Sequence, residues 1–554
     1  MNAVETGILA LGQQLKAQGR VDDAQILFDH LASLRPQDPQ AAVWRSGGAE
    51  PTLAALQRLA AQRASGLKAI SPAEVEAHAN AGVTLFNQHM ASGATETAEA
   101  YAAALAEVLP NAVQMLDAAM GCNRTLGRFE KAVTYAQKIL AIEPDHFNAH
   151  QLMADVCKAL GEADGEIGHR LGMALSSSNP SHALLKLRDI HDVASAILCR
   201  PLTERSELQL SALLNAAARL DVQAEPGTEW QGWEKHYRLL LQGVDMTAVR
   251  GPTPPAASDD DVEYADARGL QLGLVHLRKM AEAAGAEAVF FAAADEAYVE
   301  LYARWYALSV LKHSDVPCVV VIHVIGGAGR LAEIAAKVGI DDPRLMFAAD
   351  RFDAAWVATR CYDAPPKGLI DKPVAHYQSV RFQRLGSLLA ALQRPVFVSD
   401  IDLLLQRGVA DLLARCASDD VVFNENAISH AAGSRLTANL VLVRPTESAQ
   451  AMLRWLRAYL DRALAGAEVT RWIDQLALIL ARHHLAFRQP QAQLGYFDTS
   501  SDINNVMYPS YQEHPFRFLS LYHGFDTSSL EGDPRVLGDA ETSAPKKART
   551  RKAK

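Results

Sequence analysis

The stretch RPVFVSDIDLLL (394–405) decides the reading of this chain's second half. Val396, Phe397 and Val398 make a continuous apolar run after Pro395, the pattern of a strand buried on both faces. The run leads into two carboxylates spaced i and i+2, Asp400 and Asp402. An Asp-x-Asp tripeptide alone carries little, because Asp259 and Asp261 form a second copy in a stretch without apolar spacing. Position separates the two. Two carboxylates leaving a buried strand reach one hard cation, directly or through water, and that cation neutralises a diphosphate. Asp259 and Asp261 read instead as solvated or helix-capping acids.

Working outward, the segment GPTPPAASDDD (251–261) has the composition of a linker, and the pattern changes after it. A helix near 264–284 precedes the strand-like AVFFAAA (288–294). A helix at 298–313, the strand PCVVVIHVIG (317–326), a further helix and the strand RLMFAAD (344–350) follow. A helix at 374–392 then leads into the opening stretch. Such alternation predicts a mostly parallel sheet covered by helices on both faces. Ligands of these sheets sit at the carboxyl ends of the strands, where Asp400 and Asp402 fall.

The first half follows a different rule. Leu11, Gly12, Leu15, Gly19, Ala24, Phe28 and Pro36 have the spacing of a 34-residue helix-turn-helix unit. Gly93, Ala98, Ala102, Leu105 and Pro110 repeat it, as do Gly127, Phe129, Ala132, Ala136 and Pro144, with a weaker copy through Leu152, Ala154 and Gly161. Small residues let antiparallel helices approach, glycine permits the turn, and proline ends the second helix. Residues 37–77 fit the period poorly. These residues resemble the tetratricopeptide repeat family over about 1–175. The resemblance implies a solenoid that binds a peptide or protein.

The second half resembles the GT-A glycosyltransferases, the glycogenin-like enzymes in particular, through several ordered motifs. AAADEAYVELYARWYALSVLKH (292–313) is similar to their first strand-to-helix turn, which implies that Asp295 and Tyr298 flank the nucleoside, Tyr298 by stacking. YQSVRFQRLGSLLAALQRPVFVSDID (377–402) couples an arginine-bearing helix to the acidic turn in the family's order, with Arg381 offered to phosphate or sugar. Arg381 and Arg384, one turn apart, also suit a solvated basic face. SRLTANLVLVRPTESA (434–449) resembles the strand near the acceptor. Thr437, Ala438 and Asn439 stand where the family often has Asn-Ser-Gly or Asn-Ala-Gly, which makes Asn439 the candidate contact. TRWIDQLALILARHH (470–484) carries the Asp-Gln dipeptide, so Asp474 would face the reacting sugar and Gln475 would hydrogen-bond it; an acid there also suits the helix dipole. LYHGFD (521–526) implies His523 as a third metal ligand, although the family's lysine and Pro-Trp are missing.

Pattern, composition and resemblance together predict an all-α helical-repeat solenoid (1–175), a helical continuation or cap (176–250), a linker (251–262), a GT-A-like α/β domain with a mostly parallel sheet (263–535) and a disordered basic tail (536–554). The resemblance implies a manganese or magnesium ion, a nucleotide-sugar donor such as a UDP-sugar, and transfer to a hydroxyl of a protein or peptide acceptor recruited by the array. A catalytically inactive scaffold acting through the array is the alternative. A dinucleotide-binding reading competes at Gly327, Gly329 and Ala332, a GxGxxA after a strand, with Asp350 ending the next strand.

Composition narrows the classes further. With 49% hydrophobic residues, 21% charged and a formal net charge of -10, the 554-residue chain is ordinary globular protein, not a nucleic-acid-coating one. No apolar stretch approaches the roughly 20 residues of a membrane helix, and the start lacks a signal-peptide pattern, so a cytoplasmic location is expected. Six scattered cysteines form no CxxC pair and point to reduced, buried thiols. His483 and His484, adjacent on a helix, cannot share a face and read as structural.

Overall fold

The structure, a computed structural model, describes residues 3–38, 40–45, 49–66, 71–222, 229–248, 259–352, 369–370, 372–429, 431–465, 469–470, 472–503, 516–521 and 526–531. The chain divides into two compact units, 1–181 and 182–554.

The first unit consists of helical hairpins. Helices Pro72–Ala91, Thr95–Val108, Val113–Thr125, Phe129–Ile142, Phe147–Leu160 and Ala163–Leu175 follow the 34-residue period. Gly93, Gly127 and Gly161 occupy the hairpin turns at φ of 75°, 71° and 72°, a left-handed conformation that costs glycine nothing and other residues about 1 kcal/mol. Ala98, Ala102, Ala132 and Ala136 are fully buried between the paired helices. The earlier hairpin, Ala3–Ala17 with Val21–Leu34, packs Gly12 so closely that an added Cβ would lie 2.6 Å from the Phe28 ring. The out-of-period stretch is helical too, at Ala41–Arg45 and Ala49–Ser65, with Trp44, Leu56 and Leu59 buried.

The second unit is built on a mixed nine-stranded sheet. Its strands are β1 (Glu263–Asp266), β2 (Gln271–Leu272), β3 (Ala288–Asp295), β4 (Cys318–Ile325), β5 (Leu345–Ala349), β7 (Val396–Ser399), β9 (Val421–Glu425), β10 (Leu436–Val443) and β12 (Leu494–Tyr496). Two short pairs stand apart, β6 (Leu369–Ile370) with β11 (Val469–Thr470), and β8 (Leu403–Leu405) with β13 (Phe518–Ser520). The sheet order is β12-β9-β10-β7-β3-β4-β5-β1-β2. β7, β3, β4 and β5 are parallel, and every side chain of β4, β5 and β7 is buried, which explains their unbroken apolar runs. From β3 the chain steps outward to β4 and β5, then returns to place β7 on the other side of β3. That reversal opens a crevice at the carboxyl ends of β3 and β7.

Three expectations change. The helix expected near 264–284 begins only at Leu274, because β1 and β2 form a hairpin that pairs antiparallel with β5. Gly269, at φ 76°, turns that hairpin against Ala332. The single strand expected through 394–405 is two strands, broken at Asp400–Asp402. Helices Ala183–Leu198, Glu204–Ala218 and Glu229–Ala248, expected as a cap on the array, fall in the second unit. Tyr459 Oη donates to Leu239 O, Arg482 donates to Leu198 O, and Arg488 donates to Thr247 O. The basic tail lies outside the described residues.

Candidate functional site

The crevice between β3 and β7 gathers most of the residues singled out from sequence. Asp295 ends β3 and caps helix Glu296–His313, its Oδ1 accepting from the Tyr298 amide at 2.9 Å. Asp400 and Asp402 occupy the turn after β7. The Ser399 hydroxyl donates to Tyr306 Oη at 2.9 Å, the Asp400 amide donates to Asn439 O at 3.1 Å, and the Leu521 amide donates to Asp402 O at 3.0 Å. The turn is therefore pinned from three sides by groups that leave both carboxylates unspent.

Arg381, on helix Lys372–Leu392, lies buried beneath the turn. Its Nη1 donates to Asp400 Oδ1 and its Nη2 to Asp474 Oδ2 at 3.2 Å. Asp474 stands in the first turn of helix Ile473–Arg488, where the aligned peptide dipoles favour a negative charge. Two carboxylates thus share one guanidinium, with Asp402 close enough to feel its charge. Burial and the neighbouring Asp400 charge push the Asp402 carboxyl well above the usual carboxylate range, with Arg381 opposing. Burial pushes Asp474 up to about 7, although Arg381 pulls it down. For Arg381, burial works against the charge, but Asp400 and Asp474 outweigh it and the net shift is upward. Burial, then Asp402, pushes the Tyr298 phenol up to about 12, so it keeps its proton beside the acids.

The cluster is short of partners. Asp474 Oδ1 and Arg381 Nε are buried with no hydrogen bond among the described residues. Orphaned buried polar atoms are costly, and a pocket holding excess negative charge binds protons or a cation. Oxygen donors of this kind suit magnesium or manganese. Among the described residues no group of three or more His, Cys, Asp or Glu is arranged to hold a metal; Asp400 and Asp402 are the acids at the turn that could hold one. His523, the expected third ligand, lies outside the described residues; Leu521, two positions earlier, is bonded to Asp402.

The other candidates divide. Asn439 is brought to the turn by its backbone, while its side-chain Oδ1 accepts from Asn424 and its Nδ2 reaches Ser520 Oγ at 3.4 Å. Gln475 follows Asp474 and is half-buried. Arg381 has both terminal nitrogens on carboxylates, Nη1 on Asp400 and Nη2 on Asp474. Arg384 is not on a solvated face. It pairs with Asp259, Asp261 and Asp350, and Arg457 also reaches Asp259, so the supposed linker acids are locked onto the same helix as Arg381. Sequence reading missed this because Asp259 and Asp261 lie 125 and 123 residues from Arg384.

The dinucleotide motif fares differently. Asp350 is buried, and its carboxylate accepts from His323, from the amides of Gly326 and Phe352, and from Arg384. It has no oxygen left to hold a ribose hydroxyl, and Gly326 and Gly329 simply turn the chain at φ 74° and 79°.

No protein-family description matches the sequence, and no curated protein matches it. Solved structures do. The N-terminal third is similar to a thermophilic TPR protein of Thermus thermophilus, at 24% identity and TM-score 0.18, covering 33% of this chain and 96% of that one. The C-terminal part is similar in fold to two glycosyltransferases. One is the WbbM bifunctional glycosyltransferase, apo, at 10% identity and TM-score 0.27, covering 39% of this chain and 40% of that one. The other is mouse xyloside xylosyltransferase 1, apo, at 9% identity and TM-score 0.27, covering 43% of this chain and 98% of that one.

Proposed function

We propose that the second unit is a metal-dependent glycosyltransferase that moves a sugar from a nucleotide-sugar donor to an acceptor hydroxyl. The observation that carries the reading is the cluster of part-exposed Asp400 with buried Asp402 and Asp474 around the buried Arg381, at the carboxyl-end crevice where the strand order reverses. Asp400 and Asp402 would hold a manganese or magnesium ion, which when bound offsets the charge of a diphosphate leaving group.

The chain's own residues supply the rest. Arg381 fixes Asp400 and Asp474 relative to each other. Asp474, buried and pushed up to about 7, is able to take or hold a proton near neutrality, the property of a general base in an inverting transfer; in a retaining transfer it positions the sugar. Tyr298, a neutral phenol beside Asp402, offers a ring face to the base, and Asp295 holds the helix turn that presents it. Asn439 and Gln475 would contact the sugar. The helical hairpins of the first unit would recruit a protein or peptide acceptor.

Manganese-dependent hydrolysis of a panel of nucleotide-sugars tests the reading. Wild-type chain should release nucleoside diphosphate only with metal, and Asp402→Ala should lose the activity at least a hundredfold. A wild type that neither hydrolyses nor binds any of them sinks the enzyme and favours the scaffold alternative. The engagement of Asp400 by Arg381, which competes with a cation, is the observation on that side.

A further inference from the structure

Two histidines of the first unit are set against each other. His150 stands in helix Phe147–Leu160 and His169 in helix Ala163–Leu175, the last hairpin of that unit, and their Nδ1 atoms lie 3.0 Å apart. The ring centroids are 5.3 Å apart, which is the nitrogen separation plus about one ring radius on each side, so the two nitrogens point at each other.

Neighbouring groups decide where the hydrogens are. His150 Nε2 lies 2.8 Å from Pro144 O, and a carbonyl only accepts, so Nε2 carries a hydrogen. A neutral imidazole then has a bare Nδ1, which makes His169 Nδ1 the donor of the shared bond and leaves His169 Nε2 bare. The His150 ring is seated against Gly172, where an added Cβ would lie 2.3 Å from Nε2. One side chain thus ties the loop at Pro144 to helix Ala163–Leu175, in which Ala174 is the one buried residue. Apolar burial holds this helix weakly, which gives the polar tie its weight.

The arrangement counts protons. A first proton goes to His169 Nε2 and leaves the shared bond intact, now donated by a cation. A second would have to enter at His150 Nδ1, where it would meet the His169 N–H head-on. The unfolded chain takes up both protons near pH 6.5. The folded pair takes one, and burial, then His150, pulls even that one down at His169. The pair's contribution is therefore whole above pH 6.5 and is lost as the pH falls below it.

The surrounding charges do not offset this. Glu166 and Arg170 flank His169 but pair with each other at 2.7 Å, and Asp155 pairs with Arg124. In the loop, Ser177 holds Asp145 below the usual carboxylate range, and His146 Nδ1 caps helix Phe147–Leu160 by accepting from the Ala149 amide at 3.4 Å. Helix Phe129–Ile142, which packs on helix Phe147–Leu160, carries Glu130, Lys131 and Lys138; among the described residues none of these is within hydrogen-bond reach of either ring.

We infer that His150 and His169 form an acid-released latch, closed at neutral pH on one shared proton and opened in mild acid, so that helix Ala163–Leu175 comes away from the loop at Pro144.

Hydrogen exchange of the full chain reads the latch helix by helix. Corrected for the intrinsic rate, protection of helix Ala163–Leu175 should fall by roughly tenfold or more between pH 7 and pH 5, while that of helix Thr95–Val108 changes by less than about threefold. Asparagine places its amide where Nδ1 stood and does not titrate. His150→Asn keeps the acceptor and should lose the pH dependence, whereas His169→Asn keeps the donor facing His150 and should retain it. Unchanged protection in the wild type overturns the latch. So does a dependence that survives His150→Asn, vanishes in His169→Asn, or is removed by His146→Asn, which would assign it to the helix cap. If His150→Asn fails to fold, nitrogen NMR of the histidine-labelled wild type still decides. His150 should keep its single hydrogen on Nε2 down to pH 5 while His169 takes a second one; a His150 that charges above pH 6 with the helix still protected overturns the inference.

Discussion

Arg381 Nη2 lies 3.2 Å from Asp474 Oδ2 across 93 residues of sequence, and both side chains are almost wholly out of solvent. The pair joins helices Lys372–Leu392 and Ile473–Arg488 beside the acidic turn. Removing the cation alone leaves Asp474 buried and unmatched and the part-exposed Asp400 without its partner, so Arg381→Met should cost about 3 kcal/mol in urea unfolding. Asp474→Asn keeps the shape and removes a charge already inclined to take a proton, so its cost should stay below about 2 kcal/mol. Equal costs would mean that the pair is not the centre of the cluster.

Cation binding is readable apart from turnover. Manganese should raise the thermal midpoint of the wild type, and Asp402→Asn should abolish the rise while keeping the midpoint within a few degrees of the metal-free wild type. A rise that survives in the variant places the cation elsewhere.

Acid should loosen the second unit through its buried histidines. Burial pulls His236 and His483 down to about 4 from an ordinary 6.5. Below 6.5 the unfolded chain takes up protons that the folded chain refuses, so this contribution is complete above 6.5 and is lost as pH falls towards 4. Asp402 and Asp474, pushed up, work the other way, since their folded forms hold protons longer. The comparison with His483→Gln isolates the effect: between pH 7 and 4.5 the wild type should lose more stability than the variant, by on the order of 2 kcal/mol. Parallel losses would count against it.

The acids before β1 should differ sharply. Asp259 is nearly buried between Arg384 and Arg457, whereas Asp261 is about half exposed. Asp259→Asn should destabilise by roughly 3 kcal/mol and Asp261→Asn by under about 1 kcal/mol, measured by chemical unfolding.

In the array, Gly127→Ala should cost about 1 kcal/mol although nothing lies within 4 Å of the new methyl, because the penalty is conformational. Calorimetry of the two transitions should show it in one only.

Much of this was legible in the chain. The 34-residue recurrence is written by glycines whose φ permits no other residue cheaply, and the buried runs of β4, β5 and β7 announce parallel strands because both faces are covered. Asp400 and Asp402 were placed by the apolar run before them. What stayed hidden depends on distant pairing. Arg384 looks solvated until its acids, 123 and 125 residues away, arrive. β1 and β2 are too short to show a period, and helix Glu204–Ala218 is amphipathic in a way that suits an array or an α/β face alike.

The tie between Arg482 and the carbonyl of Leu198 spans 284 residues. At roughly 5–20 residues per second, a ribosome takes on the order of 15–60 seconds to make the second partner after the first. Throughout that interval helices Ala183–Leu198 and Glu229–Ala248 have each other but not helix Ile473–Arg488, on which both also pack, whereas the hairpins before residue 181 close on neighbours already made. Nascent chains of this protein therefore spend their synthesis half folded, and the later half is the part that would call on a holding chaperone.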